Sequence, residues 1–179
     1  MTQDGHLVRE NVEALSQAVD LLERLPDQLF TNNEEAWFHS GVGRHMRHII
    51  DFYTTFLEGL PTGAIDYDAR QRRPELESRR TAAASRLREI ITKLETIDNS
   101  ERVVMSKTDG HRRDPATAFS PSTVGRELQF LAFHTVHHFA MIAMTLDRQG
   151  FKTPEAFGIA PSTVAYWQAT GTRRVAATG

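Results

Sequence analysis

The feature that most constrains this chain is the apolar periodicity of its last long segment. Val124, Leu128, Leu131, His138, Ile142 and Thr145 recur at helical spacing along one line, with Glu127, His134 and Met141 beside it. Ser120-Pro121-Ser122 offers a cap and a first-turn proline, and Gly150 a stop, so the spacing predicts one helix from near residue 120 to Gln149. His134 and His138 sit one turn apart on its inner face, and His137 is rotated about 60° away. Two buried imidazoles without partners would each lose hydrogen bonds, and one metal ion satisfies both.

Three further segments share this periodicity. Val8, Val12, Leu15, Val19 and Leu22 define a first helix, disturbed near its end by Pro26. A polar connection from Thr31 to Ser40 contains Trp37 and Phe38, which must pack somewhere. A second helix starts at Ser40 and runs through Val42, His45, Ile49, Phe52, Phe56 and Leu60, closed by Gly59, Pro61 and Gly63. Its histidines compete: His45 is on the centre line of the stripe, His48 toward its edge. After a charged connection from Ala64 to Pro74, Leu76, Ala83, Leu87, Ile90, Leu94 and Ile97 form a third helical seam, interrupted by Arg80 and ended at Asn99-Ser100. Arg102-Val103-Val104-Met105 and the turn Asp109-Gly110 suggest a small hairpin within 101–120. A turn near Pro154–Phe157 and one or two helical turns over Ala160–Trp167 follow, with a frayed tail at 172–179.

The expected fold is therefore all-α: a four-helix bundle with long connections in one domain over 1–179. The connection after the second helix is long enough to cross the bundle. The chain has no cysteine, which removes disulfides, thiolate ligands and a cysteine nucleophile. Met1–Glu10 is polar and lacks the apolar core of a secretory signal, and no apolar run reaches the roughly 18 residues of a membrane span. A cytoplasmic protein without membrane contact is the expectation. A net charge of −2 gives no pull toward nucleic acid.

The candidate chemistry rests on histidine. His134 and His138, with a third imidazole from the His45–His48 cluster, would leave open positions on a divalent ion able to activate water or a thiol. Zinc and nickel lead the ions that accept imidazole. Glu127 could hold a ligand, act as a base, or be an exposed carboxylate; the last is the leading account. Seven arginines fall between Arg70 and Arg88. Interleaved acids favour a solvated, ion-paired face, while Arg70, Arg72 or Arg73 could instead rim an anion site, as could Arg44 and Arg47.

Arg47-His48-Ile49-Ile50-Asp51 and His134-Thr135-Val136-His137-His138 together resemble the DinB-like (DinB/YfiT) metal-binding helical bundle superfamily. Asp66-Tyr67-Asp68-Ala69-Arg70 and Ala160-Pro161-Ser162-Thr163 are similar to segments in one branch of it. The resemblance implies four-helix bundles, often homodimers, with one histidine on the second helix and an H-x-x-x-H pair on a later one. It assigns His48, followed by Asp51, together with His134 and His138 as metal ligands, against the helical periodicity that nominates His45. It also implies a low-molecular-weight thiol as co-substrate, since members include bacillithiol- and mycothiol-dependent S-transferases and a mycothiol-dependent isomerase. Arg44, Arg47 and Arg70 are then candidates to bind the cofactor. The leading functional expectation is a metal-dependent enzyme, an S-transferase or hydrolase acting on a small molecule. The alternative is a non-catalytic, metal-stabilised bundle serving binding or stress response. The family's damage-inducible label suggests nucleic acid as a third partner, and the balanced charge argues against it.

Overall fold

A computed structural model describes residues 3–32, 40–108 and 119–171. Trp37, Phe38, the Asp109-Gly110 turn and the tail from Thr172 lie outside the described residues. The helices are α1 (Gln3–Arg24), α2 (Asp27–Thr31), α3 (Val42–Gly59), α4 (Glu75–Ser78), α5 (Arg80–Leu94), α6 (Val124–Arg148) and α7 (Pro161–Thr170); the strands are β1 (Ala64–Asp66), β2 (Val103–Lys107) and β3 (Ser120–Thr123).

Four long helices carry the core. α1 packs on α5 and α6, and α3 packs on the same two, which places α1 opposite α3 and α5 opposite α6. Leu15, Leu22, Ile49, Phe56, Leu87, Leu128 and Ile142 meet at the centre, each fully buried. The face α1 turns inward is centred on Leu7, Asn11, Leu15, Ala18 and Leu22, with Val8 and Val12 at its margin. The stripe is shifted because Asn11 is polar yet buried: its Nδ2 donates to the carbonyls of Leu7 and Leu128 at 2.8 and 3.1 Å.

The chain departs from a plain bundle in three places. The connection expected between the second and third helices contains β1, which pairs in parallel with β2, and β2 pairs antiparallel with β3 in the order β1-β2-β3. The hairpin strands are thus present and belong to a three-stranded sheet. Buried Ile65 and Val104 fasten it to the helices. Ser120-Pro121-Ser122 is strand rather than helix start; α6 begins at Val124, where the Thr123 side chain accepts from the Arg126 N–H at 3.2 Å. The third helix is broken at Arg79, whose φ of −123° and ψ of 100° separate α4 from α5. Arg80, the interruption in the seam, pairs with Asp27 at 2.6 Å and donates to the Leu22 carbonyl.

Gly43 fixes where α4 sits. A Cβ there would lie 2.1 Å from the Glu77 carbonyl oxygen, so glycine lets the two backbones touch and brings Glu77 onto α3. The second helix accordingly starts at Val42, capped by Gly41 backbone rather than by Ser40. Among the described residues no helix is long and apolar enough to cross a membrane.

Candidate metal centre

α3 and α6 face each other across the core, and their histidines meet between them. His48 Nε2 lies 3.3 Å from His134 Nε2, and His138 Nε2 lies 3.1 Å from the same atom. One ring nitrogen from each of the three falls within 4.8 Å of the others. His138 is buried, while His48 and His134 are half-buried. One helical turn separates His134 from His138, so α6 alone presents both rings to the same point.

Burial lowers the pKa of all three. His48 is lowered to about 3 by desolvation, then by His134, Arg70, Arg47 and His45. His134 is lowered to about 4 by desolvation, His137 and Arg70, and His138 to about 2 by desolvation and the neighbouring imidazoles. At neutral pH these rings are uncharged and each has one nitrogen without a proton. Three such lone pairs cannot all be satisfied by one another. The donor set therefore fits a divalent cation, which three neutral imidazoles hold at tetrahedral or higher coordination with positions to spare.

His45 occupies a different place. It is buried at 4% exposure, and its Nδ1 lies 3.0 Å from His138 Nδ1, on the side of that ring away from His134. Burial lowers its pKa, with His137 adding to the effect, and a hydrogen bond to the Ser40 backbone opposes it. A bond of that sign is a ring N–H donating to a carbonyl. The consistent arrangement has His138 donating from Nδ1 to His45 and presenting a bare Nε2 to the centre. The helical wheel and the family motif nominated different residues of α3, and the structure sets both against His138. His137 is exposed on the outside of α6.

An aromatic wall borders the triad. The Phe52 ring lies 4.7 Å from His48 and 4.3 Å from His134, and Phe130 stacks on His134 at 5.5 Å. Tyr67 closes the wall, stacked on Phe52 at 5.1 Å. Each phenylalanine is one turn from a histidine on its own helix, a spacing visible in the sequence but not exploited there. Tyr67 comes from the turn after β1, where Asp66 accepts from the backbone of Asp68 and Ala69.

Glu127 is not an exposed carboxylate. It is 5% exposed and accepts from the Tyr67 hydroxyl at 2.9 Å and the Ser122 hydroxyl at 2.5 Å, tying the turn and β3 to α6. The candidate arginines part company. Arg47 is committed to Asp51 at 2.9 Å and Glu77 at 2.7 Å. Arg44 is exposed on α3. Arg70 lies over the Phe52 ring, its guanidinium carbon 4.4 Å from the centroid. Asp51 is 2% exposed, and its Oδ1 has no hydrogen-bond partner among the described residues; desolvation raises its pKa, opposed by Arg47.

Comparison with known proteins identifies the family of the chain. A model of the DinB family matches residues 1–168. A protein of Rhizopus delemar described as FK506-binding protein 5 is 29% identical over 166 residues, which cover 85% of this chain and 36% of that protein. The chain thus spans about a third of the length of this curated relative. The family match covers nearly the whole chain, and the chain belongs to the DinB family.

Proposed function

We propose that this DinB-family protein is a metal-dependent enzyme that holds a zinc or nickel ion on His48, His134 and His138 and acts on a small molecule, by thiol S-transfer or hydrolysis. One observation carries the reading: three imidazoles from two helices bring ring nitrogens within 4.8 Å of one another, and burial lowers the pKa of each, which favours the neutral form. When bound there, a divalent ion supplies Lewis-acid activation of a thiol or water at near-neutral pH. His45 fixes the His138 ring so that Nε2 faces inward. Phe52 and Phe130 cover one flank of the imidazoles and keep water from it, which strengthens every polar interaction formed beside them. Glu127 holds Tyr67 in the wall through a hydrogen bond. The family resemblance supports a homodimer working with a low-molecular-weight thiol.

A second reading has its own support. The triad links α3 to α6, so a bound ion would also staple two core helices. Elemental analysis of the purified full chain and of His134→Ala, joined to a screen for thiol transfer and hydrolysis, separates the two. The enzyme reading expects about one ion per chain, its loss in the variant, and turnover that stops when the ion is chelated. A large fall in melting temperature on chelation, with no turnover under any thiol or with water, would replace the enzyme with the staple.

A further inference from the structure

The arginine beside the triad is placed to do more than line it. We propose that Arg70 is the recognition group for a substrate carboxylate, so that the centre takes small molecules carrying a carboxylate beside the reacting group. This rests on the metal reading above for the reaction, but the carboxylate site itself stands on Arg70 and its surroundings.

Arg70 follows the turn that carries Tyr67, and it is held from two directions. Its Nη1 donates to the Tyr67 carbonyl, and its guanidinium plane lies over Phe52. The same Phe52 ring touches His48 and His134, so the cation and the imidazoles flank one phenylalanine. The guanidinium field is felt at both histidines, where it helps to lower their pKa values.

Its ion pairing sets Arg70 apart from the neighbouring arginines. Arg47, Arg73, Arg80, Arg86 and Arg88 each have a carboxylate within ion-pair distance. Among the described residues Arg70 has none. Asp51 and Asp68 act on it only from beyond that distance, and partial burial lowers its pKa. A half-buried cation with unreturned desolvation is a poor structural element and a good anion receptor. With Nη1 occupied, Nε and Nη2 keep N–H groups on one edge, the fork that matches a planar carboxylate. Charge balance points the same way, since one monoanion neutralises one guanidinium. The stem is held by the carbonyl and the ring, so little freedom is lost on binding. Glu127 and Asp66 fasten the turn that delivers it.

The experiment follows the Arg70 Nε–H resonance of the isotope-labelled full chain, assigned by its loss in Arg70→Lys, while acetate is added to metal-free and zinc-loaded protein. Acetamide and inorganic phosphate serve as comparisons. Acetate should give a saturable shift in both forms, tighter by about tenfold with zinc bound, and acetamide none. In Arg70→Met, brought to the same zinc occupancy as the parent chain, acetate should lose at least tenfold in affinity for the zinc-loaded centre, read by competition with a chromophoric zinc ligand. No saturable shift of Arg70 in either form, or equal acetate affinity in Arg70→Met, overturns the proposal. Phosphate acting at tenfold lower concentration than acetate overturns the carboxylate assignment. The metal reading fails separately, if zinc uptake survives His134→Ala or if zinc leaves the acetate response of Arg70 unchanged.

Discussion

Two polar clusters lie between α3 and α6, one of them reaching α1 as well, and they are built on opposite terms. In the first, the Tyr53 hydroxyl donates to Asn11 Oδ1 at 2.7 Å, Thr135 Oγ1 lies 3.2 Å from that hydroxyl and 2.7 Å from the Leu131 carbonyl, and Asn11 Nδ2 serves two carbonyls. Every donor there has an acceptor, and all three side chains are fully buried. In the second, a turn or so along α3 and adjacent on α6, His48, His134 and His138 bring nitrogen against nitrogen. The first cluster is wholly buried and the second only partly, but burial does not explain why one is closed and the other open. The count of donors against acceptors does: a balanced network holds helices together, whereas a surplus of lone pairs calls for something from outside.

The contrast can be broken from either side, and the largest effect should come from the balanced cluster. Asn11→Ala removes three buried hydrogen bonds, those to the Tyr53 hydroxyl and to the Leu7 and Leu128 carbonyls, at roughly 1 kcal/mol each, a cost of about 3 kcal/mol. Urea melts should show that loss while metal bound per folded chain stays the same. If metal uptake fell in parallel with stability, the clusters would be one network and the comparison would collapse.

A smaller effect is expected where the clusters differ most. His45→Leu keeps the volume beside His138 but removes the acceptor for its Nδ1, so metal affinity should fall about 10- to 100-fold. Competition with a chromophoric chelator measures this directly. Unchanged affinity would make His45 ordinary packing.

The third effect is electrostatic. The triad histidines titrate near 6.5 when unfolded and at about 3, 4 and 2 in the folded chain. Below pH 6.5 the unfolded state therefore takes up protons that the native state refuses, so metal-free stability falls as pH drops toward 4. His134→Leu should flatten that slope in melts at pH 7, 6 and 5, and Asn11→Ala should leave it intact. A slope that ignores His134 would mean the imidazoles are charged in the folded protein.

Much of this was legible in the chain because period and chemistry coincided. Leu128, Leu131, His138 and Ile142 mark the inner face of α6 in the sequence as they do in the fold. Asn11 was hidden because a polar residue breaks an apolar stripe even when its hydrogen bonds let it enter the core. Glu127 was misjudged for the same reason: its partners, Tyr67 and Ser122, come from a turn and a strand that local periodicity does not reveal. β1 has three residues, too few for alternation to register, and its partner β2 is nearly forty residues away. For His45 and His48 the difficulty was phase. Both touch His138, and only side-chain direction decides which nitrogen of it each one meets.

The sheet ends in a residue that cannot extend it. Among the described residues β3 is an edge strand, and Pro121, opposite Met105, has no amide hydrogen to offer a further strand. A neighbouring chain that tried to align there would meet an interrupted ladder, so runaway strand-to-strand growth along this border is blocked. A copy docking along this border would have to be held by side chains rather than by a backbone ladder.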